Sequence, residues 1–331
     1  MITRRKILIA LGADALAPLA SFAQQQPDKV RRIGMLLGWA ENDPEAQLRA
    51  AAFKDRLAGL GWTEGRNLRI DVRWSAGDVD RASAFAKELV ALRPEVIVSG
   101  TTPVTAALQR ETRTIPIVFA VVSDPVGSGF VETLARPGGN ITGFINLEST
   151  LIEKWLQLLK EIAPRVTRVA VMFNPQTAPY VEYYLRPLRA AAPKLGVQTF
   201  TAAVRSESDI EEAVNKLGAE PGGGLIVMTD SYVFVHRKSI IAVAARNKVP
   251  AMYYNANMVE EGGLISYGVD LVDLFRRAAV YVDRILRGAK PADLPIQLPT
   301  KFELIINLKT AKTLGVKIPQ SILVRADRVI E

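Results

Sequence analysis

Short apolar runs rich in β-branched residues alternate with segments of helical period along most of the chain, and this alternation limits the possible folds more than any other feature. The series starts with a strand at 33–37, a helix at 44–60 and a strand at 68–74. Runs such as 95–99 are apolar without alternation, which indicates strands buried on both faces of a sheet. The pattern predicts an α/β fold in which helices cover parallel sheets.

A loop rich in proline and glycine at 136–140 separates two series of these units. One hydrophobic core stops growing at roughly 250 to 300 residues, so a chain of this length is expected to form two domains. We therefore expect two hinged, Rossmann-like lobes with parallel sheets. Lobe 1 is predicted to comprise 30–145 plus about 256–290, and lobe 2 to comprise 146–255 plus part of 291–331. Several chain crossings at the hinge would permit closure around a ligand.

The first 23 residues have the layout of a signal peptide. Three cations at 4–6 precede an apolar stretch at 7–22, and Ala23, with a small residue two places before it, suits cleavage. A membrane anchor is the alternative, but Asp14 and Pro18 interrupt a stretch that is shorter than the roughly 20 apolar residues of a spanning helix. We expect export to the periplasm by the Sec or the twin-arginine route.

Composition excludes several functional classes. The chain has no cysteine and one histidine, His236, so a disulfide framework, a thiolate metal site and a site with several histidines have no donors. Neither a dinucleotide fingerprint nor a phosphate-binding loop occurs. We expect no catalytic residue, no metal and no cofactor.

Charge gives no indication of a nucleic-acid partner. The formal charge is +8, and residues 1–23 contain three positive charges and one negative, which leaves +6 for the remainder. The cations are scattered among carboxylates, a pattern typical of a mildly cationic, solvated surface.

Small and polar residues follow the predicted strands, at the edge where open parallel sheets bind ligands. Thr102 and Pro103 start a predicted helix whose hydroxyl and N–H groups suit an anion, although helix capping is an alternative role for Thr102. Asp124 and Asp230 suit a ligand ammonium, although Asp124 can also form a turn with the proline that follows it. The candidate ligand-binding residues are Trp39, Ser99, Thr101, Thr102, Ser123, Asp124, Asn146, Asn174, Thr177, Asp230, Tyr232 and Tyr254.

Four stretches of the sequence, at 114–119, 124–129, 134–143 and 299–311, resemble the ABC transporter substrate-binding family that includes the tryptophan/tyrosine-binding proteins. The resemblance extends over essentially the whole mature chain. It implies a type I periplasmic-binding fold with a ligand cleft between the two lobes. It also implies a monomer whose partners are a small-molecule ligand and the permease and ATPase subunits of the transporter, with membrane contact only through the permease.

For an amino-acid ligand, the resemblance implies that Thr101 and Thr102 take the carboxylate, Asp230 the ammonium, and aromatic side chains the ring. The ligand is expected to be an aromatic amino acid or another aromatic or organic acid. Two other functions stay open: a secreted two-lobed α/β enzyme, and a sensory module that reports to a membrane kinase. The sequence shows no nucleophile–base pair for the first, and the second would need a separate signalling partner.

Overall fold

The computed structural model describes residues 30–331, and the expected signal peptide at 1–23 lies outside the described residues. Residues 30–331 form two β-sheets, one of five strands and one of seven. No helix in this part of the chain is long and apolar enough to cross a membrane.

The first sheet contains five parallel strands in the order β2-β1-β3-β4-β5. The strands are β1 (Arg31–Leu37), β2 (Leu68–Trp74), β3 (Val96–Ser99), β4 (Ile117–Val122) and β5 (Ile141–Ile145), and the helices between them are α1 (Pro44–Gly59), α2 (Val79–Ala91) and α3 (Thr102–Glu111). Asp43 caps α1 and Asp78 caps α2, because each side chain accepts hydrogen bonds from two backbone N–H groups of the first turn. Every residue of β3, β4 and β5 is buried, as the unalternating apolar runs predict.

The second sheet contains seven strands in the order β12-β11-β10-β9-β8-β6-β7. Its strands are β6 (Arg168–Phe173), β7 (Gln198–Ala203), β8 (Gly223–Val227), β9 (Ala251–Tyr253), β10 (Ile265–Val269), β11 (Phe302–Asn307) and β12 (Arg328–Ile330). The remaining helices are α4 (Leu151–Ile162), α5 (Val181–Ala191), α6 (Glu207–Gly218), α7 (Ser231–Val235), α8 (Arg237–Arg246), α9 (Ala256–Glu260), α10 (Leu271–Leu286), α11 (Leu308–Leu314) and α12 (Gln320–Leu323). We call each sheet with the helices packed on it a lobe, lobe 1 for the first sheet and lobe 2 for the second.

The sheets are mostly parallel, as expected, with one antiparallel pairing in lobe 2 that the sequence did not predict. Strand β11 runs antiparallel to β10, and β12 runs parallel to β11. The cause is the direction of chain entry. Residues 298–301 bring the chain from lobe 1 to the carboxyl end of β10, where Val269 pairs with Phe302, so the next strand has to run back along the sheet.

The expected extent of lobe 1 also differs from the structure. Strand β10 pairs with β9 and β11 in the second sheet, and α9 packs on the same sheet, so residues 256–269 lie in lobe 2. Only α10 from the predicted segment packs on lobe 1, against α1 and strands β3 to β5. The sequence interpretation took the break after β9 for a crossing, whereas the short helix α9 returns the chain to its own sheet.

Two groups of buried apolar side chains make up the core. One lies between the first sheet and helices α2 and α3, and includes Leu89, Leu108 and Phe119. The other begins on the α1 side of the first sheet with Phe53 and continues without a break into lobe 2. The lobes are therefore joined by apolar contacts as well as by the crossing segments.

Candidate ligand-binding site

A small cavity lies between the lobes, at the carboxyl ends of the strands of both sheets. Its volume is about 20 Å³, which is room for about one water molecule, since a water needs roughly 10 to 15 Å³. Its walls are formed by Trp39, Thr101, Thr102, Pro103, Val121, Ser123, Asn146, Tyr180, Thr229, Asp230, Ser231, Tyr254 and Leu271. The walls are in near contact, so an organic ligand can enter only when they move apart.

Seven of the twelve residues that the sequence proposed line this cavity: Trp39, Thr101, Thr102, Ser123, Asn146, Asp230 and Tyr254. Ser99 is fully buried below it, where its hydroxyl is 2.7 Å from that of Thr105. Asn174 and Thr177 contact the carboxylate of Asp230 and form a layer behind the wall. Tyr232 is half-buried outside the cavity, with its ring 4.3 Å from that of His236.

Two residues of the cavity wall have a buried hydroxyl without any hydrogen-bond partner among the described residues. One is Thr101 Oγ1, in the residue before α3 of lobe 1, and the other is Ser231 Oγ, at the start of α7 of lobe 2. Buried polar groups are almost always paired, because an unpaired donor or acceptor costs about 1 to 3 kcal/mol. Each lobe therefore contributes one residue with an unpaired hydroxyl to the wall of the same cavity.

Gly38, after β1, makes room for the Thr101 side chain. A Cβ atom at Gly38 would lie 2.4 Å from Thr101 Oγ1 and 2.7 Å from its methyl carbon. Any larger residue at this position would displace Thr101. The glycine after β1 thus determines where the unpaired hydroxyl lies.

Thr102 has a structural role at the same helix start. Its hydroxyl accepts a hydrogen bond of 3.0 Å from the backbone N–H of Ser123, which ties α3 to the end of β4. Thr101 makes no side-chain cap to α3. Of the two threonines, Thr102 already has a partner and Thr101 does not.

Asp230 is 4 % exposed and its carboxylate accepts three hydrogen bonds within lobe 2, which leaves one acceptor site of about four. Its carboxylate accepts from the N–H of Asn174 at 2.5 Å, from the N–H of Tyr232 at 2.8 Å and from the hydroxyl of Thr177. Burial raises the pKa of Asp230 to about 6, against the lowering effect of these hydrogen bonds. The residue caps α7 and places a carboxyl group with a raised pKa in the cavity wall.

Asn146 connects the lobes through the cavity wall. Its Oδ1 accepts from Ser123 Oγ of lobe 1 at 3.1 Å, and its Nδ2 donates to Thr229 Oγ1 of lobe 2 at 2.6 Å. Asn146 directly follows β5, in the segment by which the chain first leaves lobe 1. This side chain couples the first crossing to both walls.

A buried ion pair joins the lobes at the edge of the cleft. Arg237 of α8 donates to Asp43, the cap of α1, over 2.7 Å, and to Glu261 over 2.8 Å. The side chains of Arg237 and Asp43 are 5 % and 11 % exposed, so the attraction is only weakly screened. The pair exists only while the lobes are in contact.

Aromatic side chains supply the apolar part of the cavity wall. Tyr180 donates to the carbonyl of Thr229 over 2.5 Å, and burial raises its pKa well above the usual value. Burial also raises the pKa of Tyr254. Both phenols are therefore neutral, and with Trp39 they form a surface that suits an aromatic ring.

Asp124 lies in a neighbouring groove of about 760 Å³ between α3 and α5 and not in the cavity. Its φ is 42°, a left-handed conformation, and its carboxylate accepts from the N–H of Gly127 at 2.9 Å. This is the turn role that the sequence left open. Thr102, Pro103 and Tyr180 line both the groove and the cavity, so the two spaces adjoin.

Sequence reasoning left out several cavity residues, among them Ser231, Thr229 and Leu271. Thr229 and Ser231 flank Asp230 in the segment after β8. They are also small polar residues that follow a strand, so the criterion that selected Asp230 could have selected them too. Leu271 begins α10 at a chain crossing that the sequence placed elsewhere. Within 30–331 no group of three or more His, Asp or Glu side chains is arranged to hold a metal ion.

A family comparison agrees with this architecture. The sequence profile of a family described as ABC transporter substrate binding protein matches residues 42–330. The chain belongs to this family. The fold is the two-lobed α/β fold of the periplasmic binding proteins, as the resemblance implied.

Individual relatives of this ABC transporter substrate-binding protein have known ligands. A tyrosine-binding protein of Clostridioides difficile (strain R20291) is 26 % identical over 298 residues, which cover 90 % of this chain and 85 % of the relative. A solved Streptococcus pneumonia ABC domain in complex with L-Trp is 29 % identical, with a TM-score of 0.82 over 91 % of this chain and 99 % of that one.

Two further solved structures have no ligand in their names. A conserved domain protein from Vibrio cholerae is 30 % identical, with a TM-score of 0.85 over 91 % of this chain and 100 % of that one. A ligand-free, open substrate-binding protein from Clostridium difficile is 25 % identical and covers 91 % of this chain and 99 % of its own, with a lower TM-score of 0.67.

Proposed function

We propose that this protein is the ligand receptor of an ABC importer and that it captures an aromatic amino acid, or a related aromatic acid, between its two lobes. The observation that carries the proposal is the pair of unpartnered hydroxyls, Thr101 Oγ1 and Ser231 Oγ, in one interlobe cavity. A ligand that accepts or donates hydrogen bonds to both would satisfy groups of both lobes at once, and thereby favour the closed arrangement.

The chemistry of the wall supports this class of ligand. Trp39, Tyr180 and Tyr254 offer ring surfaces, and Asp230 offers a carboxylate for an ammonium group. The relatives named for tyrosine binding and for a bound L-Trp point to the same class. A single small cavity then presents an aromatic part, an anionic part and two free hydroxyls.

The conformation supports capture by closure of the lobes. Asp43 with Arg237, and Asn146 with Thr229, bridge the cleft directly. The structure of this chain is more similar to the relative in complex with L-Trp, at a TM-score of 0.82, than to the open, ligand-free relative, at a TM-score of 0.67. We infer an opening motion about the three crossings within 30–331, at 146–150, at residue 270 and at 298–301.

The proposed setting is the periplasm. The signal-like layout of residues 1–23 would deliver a free receptor after cleavage. Its partners would be the permease and ATPase subunits, which receive the closed, loaded form, and the receptor would work as a monomer without contacting the membrane itself.

A thermal-shift screen of residues 24–331 against the amino acids and a set of aromatic acids tests the proposal. A ligand that binds only the native state stabilises it by about 2.7 kcal/mol at a concentration of 100 Kd. We expect a saturable rise in melting temperature for aromatic amino acids, with the compound recovered unchanged. A rise only with sugars or other non-aromatic solutes would contradict the proposed ligand class.

A further inference from the structure

Arg49 of α1 is a buried cation without an ion pair. Its side chain is 1 % exposed, and Nε, Nη1 and Nη2 all lack a hydrogen-bond partner within the described part of the chain. A guanidinium carries five N–H donors, and burying a charge without satisfying its donors is strongly unfavourable. A structural arginine in a core would be expected to have at least one carboxylate or carbonyl partner.

Two aromatic rings hold the guanidinium, one from each lobe. Its carbon lies 4.5 Å from the ring centre of Trp39, which belongs to lobe 1, and 4.9 Å from that of Phe234, which belongs to lobe 2. Cation–π contacts of this kind stabilise the charge. They leave the N–H donors at the edge of the guanidinium unsatisfied, and these donors point to a missing acceptor.

The carboxylates whose charges act on Arg49 are Glu45, one helical turn before it in α1, and Asp43. Glu45 makes no hydrogen bond or ion pair with Arg49 within residues 30–331. Asp43 and Glu261 bind Arg237, and Asp43 also caps α1, whereas neither forms an ion pair with Arg49. Tyr254 is an ionisable neighbour of Arg49, but burial raises the pKa of its phenol, so it supplies no negative charge. No anion among the described residues therefore pairs with this charge.

Arg49 adjoins the ligand cavity. Trp39, on which the guanidinium stacks, and the neighbouring Tyr254 both line that cavity. Phe234 covers the guanidinium from lobe 2, so separation of the lobes uncovers it on the cleft side of lobe 1. A ligand that enters the open cleft meets this cation before the lobes close.

We propose that Arg49 binds an anionic group of the ligand, a carboxylate in the ligand class proposed above, and that the ligand must therefore be an acid. Closure of an empty cleft buries the guanidinium without a partner, whereas closure on an acid buries an ion pair. The charge of Arg49 thus opposes closure until the anion is present. This inference rests on the proposed function and adds the charge requirement to it.

The test compares L-tyrosine with L-tyrosinamide, which has the same ring and amino group but no carboxylate. We expect the wild-type protein to bind tyrosine at least about tenfold more tightly than the amide. This factor corresponds to the free energy of one hydrogen bond between charged groups. The variant Arg49→Met should lose this preference, and Arg49→Lys should retain part of it. Arg56→Met, on the exposed side of the same helix, is the matched control and should keep the full preference.

If the role of Arg49 were purely structural, Arg49→Met would lower the affinity for both compounds by the same factor. That result would overturn the proposal. Small-angle scattering of the empty proteins gives a second readout that needs no ligand. Arg49→Met should have a smaller radius of gyration than the wild type, because nothing then opposes closure, while melting curves verify that it is folded.

If the wild-type protein binds neither compound, tyrosine is not the ligand, and the same comparison is made with L-tryptophan and L-tryptophanamide; failure of both pairs contradicts the proposed ligand class. The scattering comparison then decides the role of Arg49, since an unchanged or larger radius for Arg49→Met contradicts an opposing charge in the closed cleft.

Discussion

Thr101 of lobe 1 and Ser231 of lobe 2 line one interlobe cavity, and the hydroxyl of neither has a hydrogen-bond partner within residues 30–331. Nearby hydroxyls show that the local structure can satisfy such groups. Thr105, for example, bonds to the carbonyl of Thr101 and to Ser99. The two unpaired groups are the ones that a ligand between the lobes would contact.

Removal of either hydroxyl should reduce binding without reducing stability. We expect Thr101→Val and Ser231→Ala each to weaken binding of the preferred ligand about tenfold, because each loses one hydrogen bond to it. The melting temperature of the empty protein should stay the same or rise, since no protein hydrogen bond is lost. Titration and thermal unfolding of each variant measure the two effects.

Thr105→Val is the matched control for these variants. It removes a buried hydroxyl that is fully bonded, so it should lower the free energy of unfolding by about 1 to 3 kcal/mol and leave affinity nearly unchanged. If Thr101→Val behaved like Thr105→Val, with lost stability and normal affinity, Thr101 would be a structural residue.

Asp230 should make stability depend on pH. Its folded pKa of about 6 lies above the ordinary value of 3.8, so its contribution to stability is fully present below about pH 4 and is lost as the pH rises through 6. Relative to Asp230→Asn, the wild-type free energy of unfolding should fall by about 2 to 3 kcal/mol between pH 4 and pH 7. Denaturant unfolding of both proteins at several pH values measures this difference, and a constant difference would refute the raised pKa.

The same carboxyl group should make binding of an ammonium ligand depend on pH. Asp230 gains a proton as the pH falls below 6, so affinity for an amino acid should fall by up to about tenfold per pH unit there. Asp230→Asn should bind weakly and show no such dependence. Equal pH profiles for the two proteins would mean that the ammonium lies elsewhere.

The ion pair between Asp43 and Arg237 should stabilise the closed form. Asp43→Asn retains an oxygen that can cap α1 but loses the charge that attracts Arg237, so affinity should drop about three- to thirtyfold, mainly through faster ligand release. Asp78→Asn changes the equivalent cap of α2. Within residues 30–331 Asp78 forms no ion pair with lobe 2, so this variant should release the ligand at the wild-type rate. Stopped-flow release kinetics distinguish the two variants.

Gly38→Ala should disturb the site through Thr101. The new Cβ would lie 2.4 Å from Thr101 Oγ1, so the side chain has to shift, at a cost of about 1 to 3 kcal/mol in stability and with weaker binding. Gly59→Ala, at the end of α1 with no atom within 4 Å of its Cβ, should be neutral or slightly stabilising. Equal behaviour of the two variants in thermal unfolding and titration would contradict the close approach.

The α/β class and the first lobe could be predicted from the sequence because strands such as β3 and β4 are continuous apolar runs with both faces buried. The reversal of β11 could not, because strand direction depends on where the chain re-enters the sheet. The crossing at residue 270 was also missed, since α9 is a single short turn of helix that resembles a loop in sequence.

Within the candidate site, the rule that ligands bind after parallel strands selected Thr101 and Asp230, and both line the same cavity in the structure. The same rule could not tell that Thr102 is bonded while Thr101 is not, because that depends on which hydroxyl meets the N–H of Ser123. The burial of Arg49 beside the cavity could not be predicted from the sequence. A cation in the middle of a helix resembles a surface residue until its neighbours from the other lobe are known.

Calorimetric titration of L-tyrosine and L-tryptophan into residues 24–331, beside the double variant Thr101→Val/Ser231→Ala, tests the central claim most directly. The account predicts saturable binding of one molecule per chain for at least one of the two, weakened about a hundredfold in the double variant if the two losses add. Equally tight binding by the double variant, or no binding of either amino acid by the wild-type protein, would contradict it.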